Sequence, residues 1–207
     1  MVDTQIAGRG IRDPLVLNAM RSVPRELFVD ESFRNQAYDD FPLPLIEGQT
    51  ISQPFIVALM TEALALTAGD VVLEIGTGSG YSTAVLAEIA KEVYTVERSF
   101  ELSKRANEIL EERYFNIHVL WDDGTLGWPE HAPYDAIIVA AGGPQIPDTL
   151  KSQLKVGGRL VIPVGKTNHQ QQLLLVKREA EQVFQSEVIA DVRFVPLIGS
   201  EGWSSSF

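Results

Sequence analysis

Few folds accommodate residues 71–97, VVLEIGTGSGYSTAVLAEIAKEVYTVE. The stretch opens on the apolar run Val71-Val72-Leu73, preceded by the turn residues Ala68-Gly69-Asp70, and reads as a buried strand. Gly76, Gly78 and Gly80 follow at alternate positions, where the chain must turn sharply and let a ligand approach its backbone. From Tyr81 to Ile89 the apolar spacing becomes helical, with Ala84, Val85, Leu86 and Ile89 on one broad face. Val93 and Val96 then mark a second strand that ends at Glu97, 21 residues beyond Gly76. Strand, glycine turn, helix, strand and terminal carboxylate make a nucleoside-binding βαβ unit. The turn amides and the positive end of the helix face the ligand's polar end, and the carboxylate accepts the ribose hydroxyls.

The glycine spacing selects among nucleosides. A dinucleotide fingerprint runs G-x-G-x-x-G around a pyrophosphate. Here the third glycine comes one residue early, and Glu74 stands two residues before the first. A carboxylate beside the site repels a pyrophosphate and attracts an ammonium or sulfonium group, both of which S-adenosylmethionine carries. The run Glu74-x-Gly76-Thr77-Gly78-x-Gly80 resembles the first motif of the Rossmann-like methyltransferases.

Size and composition narrow the rest. The 207 residues suffice for one substantial domain, and 45% hydrophobic with 22% charged residues is ordinary for a globular protein. The chain has no cysteine, which excludes disulfides, thiolate nucleophiles and Cys-ligated zinc. With no apolar run near the ~20 residues of a membrane span and no leader pattern, a cytoplasmic location is expected. The net charge of −11, from 17 basic against 28 acidic residues, argues against a nucleic-acid substrate. The nearest approach to a basic stripe is the scattered Lys104-Arg105 and Lys177-Arg178. His118, His131 and His169 lie far apart without ligand spacing and read as surface or packing residues, so no metal is expected.

Along the chain, Asp13-Pro14 signals a helix start and Pro24 its close, and Pro42 and Pro44 impose an extended segment. A polar loop, Gly48 to Pro54, precedes a helix carrying Ile56, Leu59, Met60, Ala63 and Leu64. Ser99 caps a helix containing Leu102, Ala106, Ile109 and Leu110. Strands are expected at 117–121, 134–139 and 159–164, with a short helix opening at Pro147-Asp148 and a turn ending at Gly157-Gly158. Further strands are expected at 172–177, 183–189 and 192–197. The expected fold is α/β: a doubly wound, mostly parallel sheet with helices on both faces, antiparallel strands toward the C-terminus and an N-terminal helical and loop extension. Residues 1–53 form the extension with an active-site loop and 54–207 the core, in one structural domain. In such a sheet ligands sit beyond the carboxyl ends of the strands, so Gly76, Glu97, Asp123 and Ala141 line one rim. Asp123 there suits an adenine amine, though Asp122-Asp123-Gly124 is also a plausible solvated turn.

Over nearly its whole length the chain resembles the protein-L-isoaspartate O-methyltransferases. The likeness is carried by Arg9-Gly10-Ile11, Val23-Pro24-Arg25-Glu26-x-Phe28-Val29, Ala37-Tyr38 and Pro42-Leu43-Pro44. Its most distinctive part is Gly48-Gln49-Thr50-Ile51-Ser52-Gln53-Pro54. Leu73 to Tyr81, Asp123-Gly124-Thr125, Pro133-Tyr134-Asp135, Ile162-Pro163-Val164-Gly165 and Phe194-Val195-Pro196-Leu197 complete it in order. The resemblance implies methyl transfer from S-adenosylmethionine to the α-carboxylate of isoaspartyl residues in aged polypeptides, releasing S-adenosylhomocysteine. It places Ser52 as the active-site hydroxyl, with Gly48 and Gln49 of its loop over the cofactor. Glu74, Gly76, Thr77, Gly78, Gly80, Glu97, Arg98, Asp123 and Gly124 complete the cofactor site. Thr50, Ile51 and the backbone of Val195-Pro196-Leu197 take the peptide. Ile46, Asp122 and Gly142-Gly143 depart from the family's usual loop residues.

An ionised carboxylate needs no general base, so Ser52 is expected to orient the acceptor rather than attack it. The blander reading makes Ser52 a cap for the helix begun near Pro54. Two other functions fit the same fold: methylation of a small-molecule carboxylate or hydroxyl, which would ignore isoaspartyl peptide, and a non-catalytic cofactor-binding module, which would methylate nothing. A monomer is expected from the acidic surface.

Overall fold

In the computed structural model, which describes residues 1–167 and 170–204, seven strands form one sheet. They are β3 (Val71–Ile75), β4 (Glu92–Glu97), β5 (Ile117–Trp121), β6 (Tyr134–Val139), β7 (Leu154–Thr167), β8 (Gln170–Ala180) and β9 (Val183–Val192), after the short pair β1 (Leu43–Pro44) and β2 (Thr50–Ile51). Their spatial order is β5-β4-β3-β6-β7-β8-β9. Neighbours from β5 to β7 are parallel, and β7-β8 and β8-β9 are antiparallel. The order reverses between β3 and β6, which opens the ligand crevice at their carboxyl ends.

Five α-helices accompany the strands: α1 (Pro14–Ser22), α2 (Pro54–Ala63), α3 (Tyr81–Ala87), α4 (Phe100–Leu110) and α5 (Asp148–Gln153). Local chemistry accounts for their ends. The Asp13 carboxylate accepts the Leu15 N–H at 2.8 Å ahead of Pro14, and Ser99 Oγ accepts the Leu102 N–H at 3.2 Å. One apolar cluster joins the N-terminal Ile6, Val16, Met20 and Phe28 to Val72, Tyr81 and Val85 of the βαβ unit. A second lies on the opposite face of the sheet, around Leu73, Ile137, Leu150 and Leu160.

Three expectations are corrected. Gly157-Gly158 do not end a turn: they lie inside β7, which starts at Leu154. Gly157 takes φ +84, and the β6–β7 register slips from Tyr134↔Leu154 to Ala136↔Arg159. The glycines thus make a bulge in a strand that continues past them. The helix opening at Pro147-Asp148, expected to carry Leu150 and Leu154 on one side, stops at Gln153, and Leu154 is the first residue of that strand and fully buried. Residues 193–197 form no strand, because the antiparallel partner β9 runs to Val192 and the chain then leaves the sheet to cross its carboxyl rim. There it makes an isolated parallel bridge, Pro196 to Gly142, with the loop that follows β6.

His118 accepts or donates a hydrogen bond with Glu92 at 2.9 Å, and His131 stacks on Tyr94 with ring centroids 4.2 Å apart. His169 lies outside the described residues. Among those residues no helix is long and apolar enough to cross a membrane.

Candidate active site

The glycine turn sits where β3 ends, and its three glycines are needed for their backbone. Gly76, Gly78 and Gly80 take φ of +92, +54 and +87, a region that side chains disfavour. Gly80 is also closely packed: a Cβ would lie 3.2 Å from Leu110 Cδ1 of α4, which would have to give way by a few tenths of an ångström. Gly76 N–H donates to Val96 O at 2.8 Å, and Ala140 N–H to Ile75 O at 2.8 Å, fastening the turn to both neighbouring strand ends.

Glu97, the last residue of β4, is 6% exposed, and its two carboxylate oxygens accept the N–H of Gly78 at 2.9 Å and of Ser99 at 2.8 Å. The carboxylate therefore shapes the turn as well as facing the crevice. A cavity opens above it whose wall includes Gln49, Thr50, Ile51, Ser52, Gly76, Thr77, Gly78, Glu97, Arg98, Gly124, Val195, Pro196 and Leu197. Thirteen of the seventeen residues expected from sequence thus meet on one surface. Sequence reasoning missed Glu47, Ser82 and Ile198 on that wall, which lie in or beside the same turns but carry no motif of their own.

Gly48, Glu74, Gly80 and Asp123 are not on the wall, and for two of them the reason is chemical. Glu74 is fully buried beneath the glycine turn, where Thr83 and Thr95 Oγ1 (2.8 Å from Thr95) donate to one of its oxygens. Among the described residues the other oxygen makes no hydrogen bond of ordinary geometry, and burial, opposed by the Thr83, Ser82 and Thr95 hydroxyls, pushes the carboxyl up to about 7. The expectation that Glu74 faces a sulfonium is therefore revised: its charge is withdrawn from the site. Asp123 spends its carboxylate on Thr125 N–H (2.9 Å), Thr125 Oγ1 (2.7 Å) and the Ser200 N–H (2.7 Å). These bonds hold its carboxyl below the usual range against the opposing effect of burial. They tie the C-terminal loop to the rim, while the adjacent Gly124 lines the cavity.

A groove beside the cavity shares Thr50, Ser52, Ala140, Val195 and Pro196 with it, and extends over Pro42, Gln53, Ile56, Arg193 and Phe194. Ser52 stands at the junction, half-buried, and among the described residues its hydroxyl makes no hydrogen bond. Its loop is held from outside. Arg25, 0% exposed, donates from Nε to Ala37 O and from Nη2 to Ser52 O, both at 2.8 Å, and lies over the Tyr81 ring at 4.6 Å. Burial brings its pKa down to about 10, which leaves it protonated at neutral pH. Asp40 accepts Gln53 Nε2 at 2.8 Å and pairs with Arg9 at 2.6 Å. Neither residue signals this role in sequence, because their partners are backbone carbonyls and a side chain far along the chain.

The departures from the family pattern are accommodated. Ile46 has no positive φ, and the turn places that strain on Glu47 (φ +55) and Gly48 (φ +68). Asp122 accepts the Asp123 N–H at 2.7 Å. The wall suits a nucleoside with a sulfonium amino-acid tail: carboxylate for ribose, backbone amides and apolar Ile75 and Val96 alongside.

Comparison with known proteins gives concordant findings. The family model for protein-L-isoaspartate(D-aspartate) O-methyltransferase matches residues 1–202. Protein-L-isoaspartate O-methyltransferase 2 of Pelobacter propionicus is 60% identical over 204 residues, covering 98% of this chain and 91% of the relative. The Rhodopseudomonas palustris protein-L-isoaspartate O-methyltransferase is 57% identical, covering 98% and 94%. Among solved structures, a protein-L-isoaspartate O-methyltransferase superposes with TM-score 0.87 at 31% identity, covering 98% of this chain and 67% of that one. A Plasmodium falciparum structure described as a protein-L-isoaspartate O-methyltransferase in complex with S-adenosyl-L-homocysteine gives 0.82 at 25% identity, covering 95% and 96%.

Proposed function

Because the chain belongs to the protein-L-isoaspartate(D-aspartate) O-methyltransferase family, we infer a division of labour in which Ser52 orients the acceptor and the β3–β4 rim holds the cofactor. The chain is an S-adenosylmethionine-dependent repair enzyme that methylates the α-carboxylate of L-isoaspartyl residues in aged polypeptides. The bound cofactor supplies a methyl group on a sulfonium, already activated for displacement.

The protein's part is alignment and exclusion of water. Glu97 accepts the ribose hydroxyls, the Gly76–Gly78 turn borders the amino-acid tail, and Gly124 borders the adenine. The acceptor is ionised, since a free carboxyl titrates near ~4, and needs no base. Ser52 donates its O–H to that carboxylate and turns one oxygen toward the methyl. The single observation that carries this reading is the place of Ser52 at the junction of cavity and groove, where its hydroxyl makes no hydrogen bond among the described residues. Thr50, Ile51 and the 195–197 backbone form the walls of the peptide path.

The net charge of −11 favours a polypeptide over a nucleic-acid acceptor, and a cysteine-free, acidic chain suits a cytoplasmic monomer that works without metal. The deciding experiment is transfer of labelled methyl to a matched pair of peptides, one aspartyl and one isoaspartyl. Their acceptor carboxylates differ in position by one methylene, and a misplacement of ~1 Å costs ~100-fold. Strong preference for the isoaspartyl peptide is expected; equal labelling would overturn the assignment.

A further inference from the structure

The peptide wall has no strand to hold it, yet it is pinned on both sides. Gln171, second residue of β8 and 3% exposed, turns its side-chain amide toward Phe194. Its Oε1 accepts the Phe194 N–H at 2.7 Å and its Nε2 donates to Phe194 O at 3.2 Å, so the amide imitates a neighbouring strand. On the other side Gly142 N–H donates to Val195 O at 2.8 Å, and Gly142 O accepts the Leu197 N–H and Trp203 Nε1, each at 2.9 Å. The two supports interlock. A Cβ on Gly142 would sit 2.2 Å from Gln171 Nε2 and 2.5 Å from its Cδ. Gly142 does not have a positive φ, so its backbone would accept alanine. Its lack of a side chain serves the Gln171 amide instead.

Val195 and Pro196 line both the cofactor cavity and the groove, facing Ser52 across the junction. We propose that Gln171 is a positioning residue for the polypeptide substrate: its amide sets the 194–197 wall, and Gly142 admits that amide by carrying no side chain. The proposal rests on the reading of the groove as the peptide path. It adds a residue that touches neither substrate nor cofactor and acts through the backbone of Phe194.

Gln171→Met keeps the volume and removes both hydrogen bonds to Phe194. It should raise the KM for an isoaspartyl peptide roughly tenfold, the scale of one to two net hydrogen bonds, with kcat and cofactor affinity within about twofold. Gly142→Ala should do the same, because the displaced group is the end of a flexible side chain and the fold survives. In a Gln171→Ser background, which vacates the space, Gly142→Ala should add less than about twofold. Amide hydrogen exchange at Phe194 should accelerate in Gln171→Met while β3 amides stay protected. Unchanged peptide KM in folded Gln171→Met, an equal loss of cofactor affinity, or multiplicative effects of Gly142→Ala and Gln171→Ser would each overturn the proposal. Wild-type enzyme inert toward isoaspartyl peptide would instead overturn the site reading beneath it. Exchange at Phe194 would then still decide whether Gln171 holds the segment.

Discussion

The carboxylate of Asp40 accepts the backbone N–H of Phe55 at 3.1 Å, from fifteen residues upstream. It thereby caps α2, whose own N-cap residue, Gln53, makes no side-chain cap. Ser52 is thus relieved of the capping role that its position before Pro54 suggested. Ser52→Ala should leave the melting temperature unchanged, whereas Asp40→Ala should cost the ~1 kcal/mol of a lost cap or more. Ser52→Ala should also spare cofactor affinity and lower kcat/KM by roughly 10- to 150-fold, the range of a hydrogen bond to a charged group. Kinetics and thermal melts on one preparation separate these outcomes; wild-type turnover would refute the orienting role.

Arg25 should prove to support both the fold and the placing of Ser52. Arg25→Met leaves the carbonyls of Ala37 and Ser52 without their donor in a buried site, at about 1–3 kcal/mol each. Denaturant unfolding should show that loss, and kcat/KM should fall with it because the Ser52 backbone is released. A variant of normal activity at a temperature where it is fully folded would show that the Ser52 loop holds itself.

Glu97→Ala should weaken cofactor binding at least roughly tenfold, since a charge-assisted hydrogen bond contributes about 1.5–3 kcal/mol. The effect includes loosening of the turn, because the Gly78 and Ser99 amides lose their acceptor. Calorimetric titration of the folded variant measures it, and unchanged affinity would contradict the assignment.

Glu74 should give stability a distinct pH dependence. Its native carboxyl is raised from near 4.5 to about 7, so the folded state holds a proton that the unfolded chain has already released. Its contribution is therefore fully present below pH ~4.5 and is lost as pH rises through about 7, a change on the order of 3 kcal/mol. Unfolding free energies measured from pH 4.5 to 8 should show this downward component in wild type and not in Glu74→Gln. Identical slopes would place the titrating group elsewhere.

What could be read in advance followed from local chemistry. The glycine turn was legible because its φ values demand glycine, β5 because its apolar run ends in the polar Asp122-Asp123-Gly124, and β6 because its apolar run ends in the small Ala140-Ala141-Gly142-Gly143. The helix starts at Pro14 and Phe100 announced themselves through Asp13 and Ser99. Long-range partnerships were not legible. Nothing near Glu74 in sequence reveals that Thr95 will share its oxygen, nor does Val-Pro-Arg foretell that Arg25 reaches the Ser52 carbonyl. The segment after Val192 misled because its β-branched and aromatic residues suit a strand, while its backbone bonds go to the Gln171 side chain and the Gly142 loop rather than to a strand.

The turn at Asp123 bears on how long the molecule itself lasts. Aspartyl residues age when the following backbone nitrogen attacks the side-chain carbonyl to close a succinimide, and a following glycine offers the least obstruction. This sequence has no Asn-Gly and a single Asp-Gly, Asp123-Gly124. There the carboxyl is tethered by Thr125 and Ser200 and stays ionised, which makes it a poor electrophile. A Cβ on Gly124 would lie 2.5 Å from Ile75 Cγ2, so the site admits no bulkier successor to Asp123. The glycine that packing requires exposes the chain to the very lesion its family mends, and the hydrogen bonds around Asp123 oppose the attack that would start it.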